Sequence, residues 1–152
     1  MRQRPRQGLT GQPSRVYARL MHPACFCLQL RKAARKIGSR YDAALAPVGI
    51  NIAQYSLLRT IARREPISLT ELGRKLELDR STMGRNVRVI EKMGLVELGR
   101  GEDQREATVA LRYRGHEVLR AAEPLWAHCQ EEVGQRLGAD RLGLLADLNS
   151  LV

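Results

Sequence analysis

Between residues 79 and 111 the sequence DRSTMGRNVRVIEKMGLVELGRGEDQREATVAL changes its hydrophobic period once, at Gly94. Few folds accommodate that change. Before it, Met83, Val87 and Ile90 recur at i, i+4 and i+7, which is one buried helix face. Ser81, Arg85, Arg88 and Lys92 form a second stripe. At about 100° per residue it lies nearly opposite the first. Asp79 is placed to cap the first free N–H groups, and Gly94 to take the left-handed position past the helix end. After Gly94 the period becomes two. Leu95 to Leu98 reads as a short strand, Gly99 to Gln104 as a polar turn, and Ala107, Val109 and Leu111 as the inward side of a second strand. Arg100 and Arg105 sit at the turn with Glu102 and Asp103 between them. A helix with one cationic face, followed by a basic hairpin, is the geometry of a winged helix. The helix enters the major groove, where Arg can grip guanine with two hydrogen bonds, and the hairpin follows the backbone or minor groove. A solvated helix face beside an ordinary hairpin would carry the same residue types, so the order of the elements matters as much as their charge.

The rest of the chain bounds that reading. A length of 152 residues supports one core, and a formal charge of +10 favours a polyanionic partner. No apolar run approaches the ~20 residues of a membrane span, and residues 1–22 contain no apolar signal core. Three cysteines, an odd number, argue against a secreted disulfide framework and for a reducing cytoplasm.

In chain order, residues 1–22 read as a flexible basic arm with Arg2, Arg4, Arg6, Arg15 and Arg19 and no acid, or as sequence upstream of a start at Met21. Residues 23–50 read as an N-terminal dimerisation helix from about Pro23 to Ala46, with Phe26, Cys27, Leu30, Ala34, Ile37, Tyr41 and Leu45 on one face. Residues 51–111 read as the DNA-binding domain. Its first helix runs from about Ile52 to Arg64, and its second opens on a capping box, Ser68 to Glu71. A tight turn at Glu77-Leu78 joins that helix to the one capped by Asp79, giving a helix-turn-helix. Residues 112–152 read as C-terminal dimerisation helices. A long one runs from Arg112 or Tyr113 to Leu137, with Pro124 expected to kink or split it. A last one, about Asp140 to Leu151, is expected to bury Leu142, Leu145 and Leu148. The terminal stripes exceed what a small winged-helix core can cover, so a two-fold homodimer is expected. It would set two recognition helices ~34 Å apart on a pseudo-palindrome. The fold class is mainly α with a small β-hairpin wing.

From Pro23 onward the chain resembles the MarR family of bacterial transcription regulators. The residues that carry the resemblance are Asp103-Gln104-Arg105, then Val109-Ala110-Leu111 and Gly115, together with the recognition helix from Arg80-Ser81-Thr82 to Gly94-Leu95-Val96. Arg112 stands where the family pattern has Thr, and Gly84 where it has Ser or Thr. The resemblance implies a homodimeric repressor, often released by a small phenolic ligand or an oxidant; no cofactor is expected. It implies that Arg80, Ser81, Thr82, Arg85, Asn86 and Arg88 approach the major groove. Arg105, braced by Asp103, would insert into the minor groove or grip a phosphate, with Arg100 beside it.

Cys25 and Cys27 stand at the start of the first helix, where free N–H groups favour a thiolate. Cys25-Phe26 is similar to the reactive context of the OhrR branch, which senses organic hydroperoxides. The gapless register instead puts Cys27 at the reactive position and Tyr41 at a thiolate-holding one, with Arg31 and Ile52 at the other two tyrosine positions. By that resemblance Cys129 is a candidate second thiol. Equally, all three cysteines can be plain packing. His22, Cys25, Cys27, His128 and Cys129 could be read as metal ligands, although Cys-x-Cys is not a standard zinc spacing. No acid–base pair or nucleophile constellation marks an enzyme. The alternatives to a repressor are a nonspecific nucleic-acid binder and, further off, a thiol-dependent redox enzyme.

Overall fold

A computed structural model describes residues 25–101 and 106–150. They fall into two compact units divided between Arg35 and Lys36. Helix α1 (Phe26–Leu45) contributes to both. The Cys25 carbonyl accepts from Gln29 N at 3.1 Å, so Cys25 is the residue from which the helix starts. Every residue from Cys25 to Lys36 is exposed.

Within residues 36–150, α1 ends in a 3-10 turn (Ala46–Val48) and Gly49 takes a φ of 75°. Helix α2 (Ile52–Ala62) is capped reciprocally: Asn51 Oδ1 accepts from Gln54 N, and Gln54 Oε1 accepts from Asn51 N, both at 2.9 Å. Strand β1 (Ile67–Ser68) leads into α3 (Leu69–Lys75), then α4 (Arg80–Lys92), the hairpin β2 (Val96–Arg100) and β3 (Ala107–Leu111), and helices α5 (Tyr113–Leu137) and α6 (Ala139–Asn149). The antiparallel sheet has the order β1-β3-β2. Val96 faces Leu111 and Arg100 faces Ala107, while Ile67 faces Val109.

One core fills the space between α2, α3, α4 and the sheet. Tyr55, Leu58, Ile61, Leu72, Met83, Val87, Ile90 and Val109 are all buried in it. A smaller cluster joins Tyr41 of α1 to Cys129 and Val133 of α5.

Four details differ from the sequence reading. Strand β2 runs through Gly99 and Arg100 rather than ending at Leu98, because both pair across to β3. Glycine suits position 99, since a Cβ there would come within 3.0 Å of Thr108 Oγ1. The box at Ser68 is half formed. Ser68 Oγ accepts from Glu71 N at 3.1 Å, but the Glu71 carboxylate pairs with Arg64 and Lys75. Helix α5 passes through Pro124 without a break. Pro124 and Arg120 are exposed, so water can reach the carbonyl that the missing N–H leaves free. Finally, α6 buries none of its leucines; Leu142, Leu144 and Leu145 are exposed because nothing among the described residues covers them.

Candidate nucleic-acid interface

The candidate interface is built on α4. Its capping residue Asp79 is bound by four donors. Oδ1 accepts from Ser81 N and Thr82 N at 2.9 Å and from Ser81 Oγ at 2.8 Å; Oδ2 accepts from Thr82 Oγ1 at 2.7 Å. These bonds, the Thr82 hydroxyl foremost, hold the carboxyl well below the usual carboxylate range. The hydroxyls of Ser81 and Thr82 therefore have their protons committed, and what they offer outward is lone pairs. Arg85 Nη2 takes one of these, donating to Thr82 Oγ1 at 3.3 Å.

At the far end, Gly94 takes a φ of 73°. Leu95 N bonds Ile90 O at 3.0 Å and Gly94 N bonds Glu91 O at 2.8 Å, a Schellman closure that turns the chain into β2. Between the caps Met83, Val87 and Ile90 are buried while Ser81, Arg85, Arg88 and Lys92 are exposed, as the two stripes require. Among the described residues Arg80, Arg88 and Lys92 form no ion pair, so their charge is available to a ligand.

The turn ahead of α4 is tightly made. Glu77 takes a φ of 53°. Leu78 N bonds Gly73 O at 2.9 Å, and a Cβ on Gly73 would come within 2.9 Å of Leu78 O. Leu78 and Val89, both exposed, line an open cleft of about 380 Å³ with Asn51, Gln54, Leu57 and Asn86.

The hairpin is fixed at its base. Leu111 N donates to Glu65 Oε2 at 2.6 Å, and the other carboxylate oxygen lies 3.1 Å from His116 Nε2. Gly115 lets α5 pass against the Leu95 carbonyl, where a Cβ would collide. Arg112 N bonds that same carbonyl at 2.9 Å. Arg100 is exposed at the end of β2, and Gly101 N bonds Glu106 O at 2.8 Å across the loop. Asp103 and Arg105 lie outside the described residues.

The cysteine candidates divide. Cys25 and Cys27 are exposed in the first unit. Cys129 is buried beside Tyr41, and burial pushes its thiol up, with the Glu132 carboxylate adding to this and Arg40 opposing it. The Tyr41 hydroxyl donates to Gln130 Oε1, and its pKa is raised by burial and then by Cys129. Tyr41 thus already has a partner on α5. Among the described residues no three His, Cys, Asp or Glu side chains come together as a metal set; His22 lies outside them.

Sequence reasoning missed two supports of this interface. One is the Asn51-Gln54 cap, whose Asn-x-x-Gln signal stands in the sequence. The other is the Glu65 link to the hairpin, for which no local signal exists.

The sequence pattern described as the MarR family matches residues 48–106, the stretch from the 3-10 turn to the hairpin. The Mycobacterium tuberculosis transcriptional regulator MosR, in complex with DNA, is 34% identical with a TM-score of 0.75, over 83% of this chain and 94% of that one. YwoH, an HTH-type transcriptional regulator of Bacillus subtilis, is 30% identical over 83 residues; the match spans 55% of this chain and 61% of YwoH, less than two thirds of that relative. A mutant Escherichia coli MarR with operator DNA has the same fold, with a TM-score of 0.72 at 22% identity over 80% of this chain and 89% of that one. With its capped recognition helix, its hairpin and this likeness over nearly the whole of MosR, the chain belongs to the MarR family.

Proposed function

We propose that the chain is a sequence-specific DNA-binding transcription regulator that acts as a homodimeric repressor. The observation that carries the reading is the exposed face of α4. Arg85 and Arg88, joined by Arg80 and Lys92, stand on a helix held rigid at both ends. MosR, to which the chain is similar, is a transcriptional regulator solved in complex with DNA. Ser81, Thr82, Arg85, Asn86 and Arg88 read or grip the major groove. Arg100, with Asp103 and Arg105, works along the backbone or minor groove. The N-terminal dimerisation helix in residues 23–50 and the helices of 112–152 hold the pair together around the DNA-binding domain of 51–111. Exposed Phe26, Leu28 and Leu30 on α1, and Leu142, Leu144 and Leu145 on α6, favour this assignment.

Release comes from a small phenolic ligand or from thiol oxidation. The exposed Cys25 and Cys27 are open to an oxidant, whereas Cys129 is not. The test is binding of the reduced protein to the DNA upstream of its own gene, with and without a stoichiometric organic hydroperoxide. Tight binding lost on oxidation and restored by a thiol reductant supports redox release. Binding that ignores peroxide turns the search to phenolic ligands. Binding that ignores sequence and falls steeply with salt replaces the repressor by a nonspecific binder, a reading the charge of +10 also favours.

A further inference from the structure

On the recognition helix one exposed residue is neither cationic nor polar. Val89 is 48% exposed although it lies one turn beyond Arg85 and next to Arg88. At about 100° per residue it is ~40° round the helix from Arg85, on the same side, and adjacent to Asn86 at i, i+3. Leu78, 38% exposed, lines the same open cleft, so the two form an apolar wall beside the cationic face. Asn86 lines that cleft too, and its amide has no partner among the described residues.

A hydrophobic residue at this place does nothing for the core, which Met83, Val87 and Ile90 already serve. It can do something for recognition. In the major groove an A·T pair presents the adenine N6/N7 edge and the thymine methyl side by side. An asparagine is the side chain that bonds that edge in a bidentate manner, and an apolar side chain is the one that packs on the methyl. Asn86 and Val89 supply this pair one turn apart.

Resting on the DNA-binding reading above, we propose that Val89 is a specificity-determining residue that reads a thymine C5-methyl in the operator, beside the base bonded by Asn86. Its apolar tip gains contact with thymine and finds no such group on cytosine or on uracil.

The test first selects the bound sequence from a random DNA pool, then replaces each thymine of the selected site, one at a time, with deoxyuridine. That change removes only the methyl. The wild-type protein should bind about fourfold more weakly when one particular thymine per half-site is replaced, roughly the worth of one buried methyl. In Val89→Ala that ratio should fall to about one, while α4 persists because Ala is the better helix former and the site is exposed. If Val89→Ala binds too weakly to titrate, Val89→Thr, of the same shape with one methyl replaced by hydroxyl, is measured in its place. A selected site in which no thymine responds to loss of its methyl overturns the inference, as does a variant that keeps the wild-type ratio. A pool that yields no preferred sequence overturns the sequence-specific reading as well.

Discussion

Asp79 does two jobs with one carboxylate: it starts α4 and it fixes the hydroxyls that α4 carries toward its ligand. Because its folded pKa is depressed, the ionised form is the one the fold stabilises. The contribution is complete above the unfolded value of 3.8 and is lost as pH falls through the folded one. Asp79→Ala should therefore melt at a lower temperature than wild type at neutral pH, and the gap should close as the melts are moved below pH 3.8. A gap that is the same at both ends would mean the cap acts without its charge. Arg88 stands on the exposed stripe without an ion pair among the described residues, and we propose that at the major groove it grips a phosphate rather than a base edge. Arg88→Ala should weaken binding alike on all sequences and reduce the slope of log K against log salt by about 0.9. A change confined to one base position would make Arg88 a reader of sequence instead.

At the scale of elements, α2 and α5 are joined by one polar-aromatic cluster. The Tyr55 ring stacks on Trp126 at 5.6 Å between centroids, the Tyr55 hydroxyl donates to Glu123 Oε2 at 2.9 Å, and Arg59 lies 4.4 Å over Trp126. Burial, then the Glu123 bond and charge, pushes the Tyr55 phenol up to about 12, with Arg59 and Arg63 opposing. A raised pKa means the neutral phenol stabilises the fold, fully below the ordinary tyrosine value of 10.0 and progressively less as pH climbs toward about 12. Unfolding followed by the fluorescence of Trp126, the single tryptophan, should show an alkaline loss of stability between those values that Tyr55→Phe lacks. Equal loss in both proteins would assign the alkaline limb elsewhere. Pro124 offers a second element-scale test. Restoring the N–H in Pro124→Ala should stabilise α5 by roughly 1–3 kcal/mol, read as a higher melting temperature. No change would mean that the helix is already relaxed around the proline. These elements also mark what a sequence discloses. The recognition helix and hairpin were legible because the period changes once, between residues with strong positional meaning, Asp79 and Gly94. Strand β1 was not, since two residues carry no period and its strand character comes from Val109 and Thr108 across the sheet. The split expected at Pro124 does not occur, because the packing of Ala122, Cys129 and Val133 on either side carries the helix through it.

At the scale of the whole molecule, the unsatisfied surface decides the argument. The apolar stripe of α6 was legible in sequence, but its burial was not, since Leu142, Leu144 and Leu145 find no cover among the described residues. The homodimer reading gives them that cover. Leu144, 54% exposed, can be changed without opening the core, so Leu144→Glu should leave the monomer folded and oppose pairing by placing a charge in an apolar contact. Sedimentation should then find the 17.1 kDa chain alone where wild type sediments at twice that mass. The effect on DNA should be larger than any single contact could produce. A dimer spanning two half-sites makes its second engagement intramolecular, and losing that linkage costs on the order of 10²-fold or more in affinity. A variant that dissociates yet binds the full operator as tightly as wild type would separate recognition from pairing and leave one winged helix sufficient. A variant that stays dimeric would move the interface away from α6 and toward the exposed start of α1, where Phe26→Glu repeats the experiment.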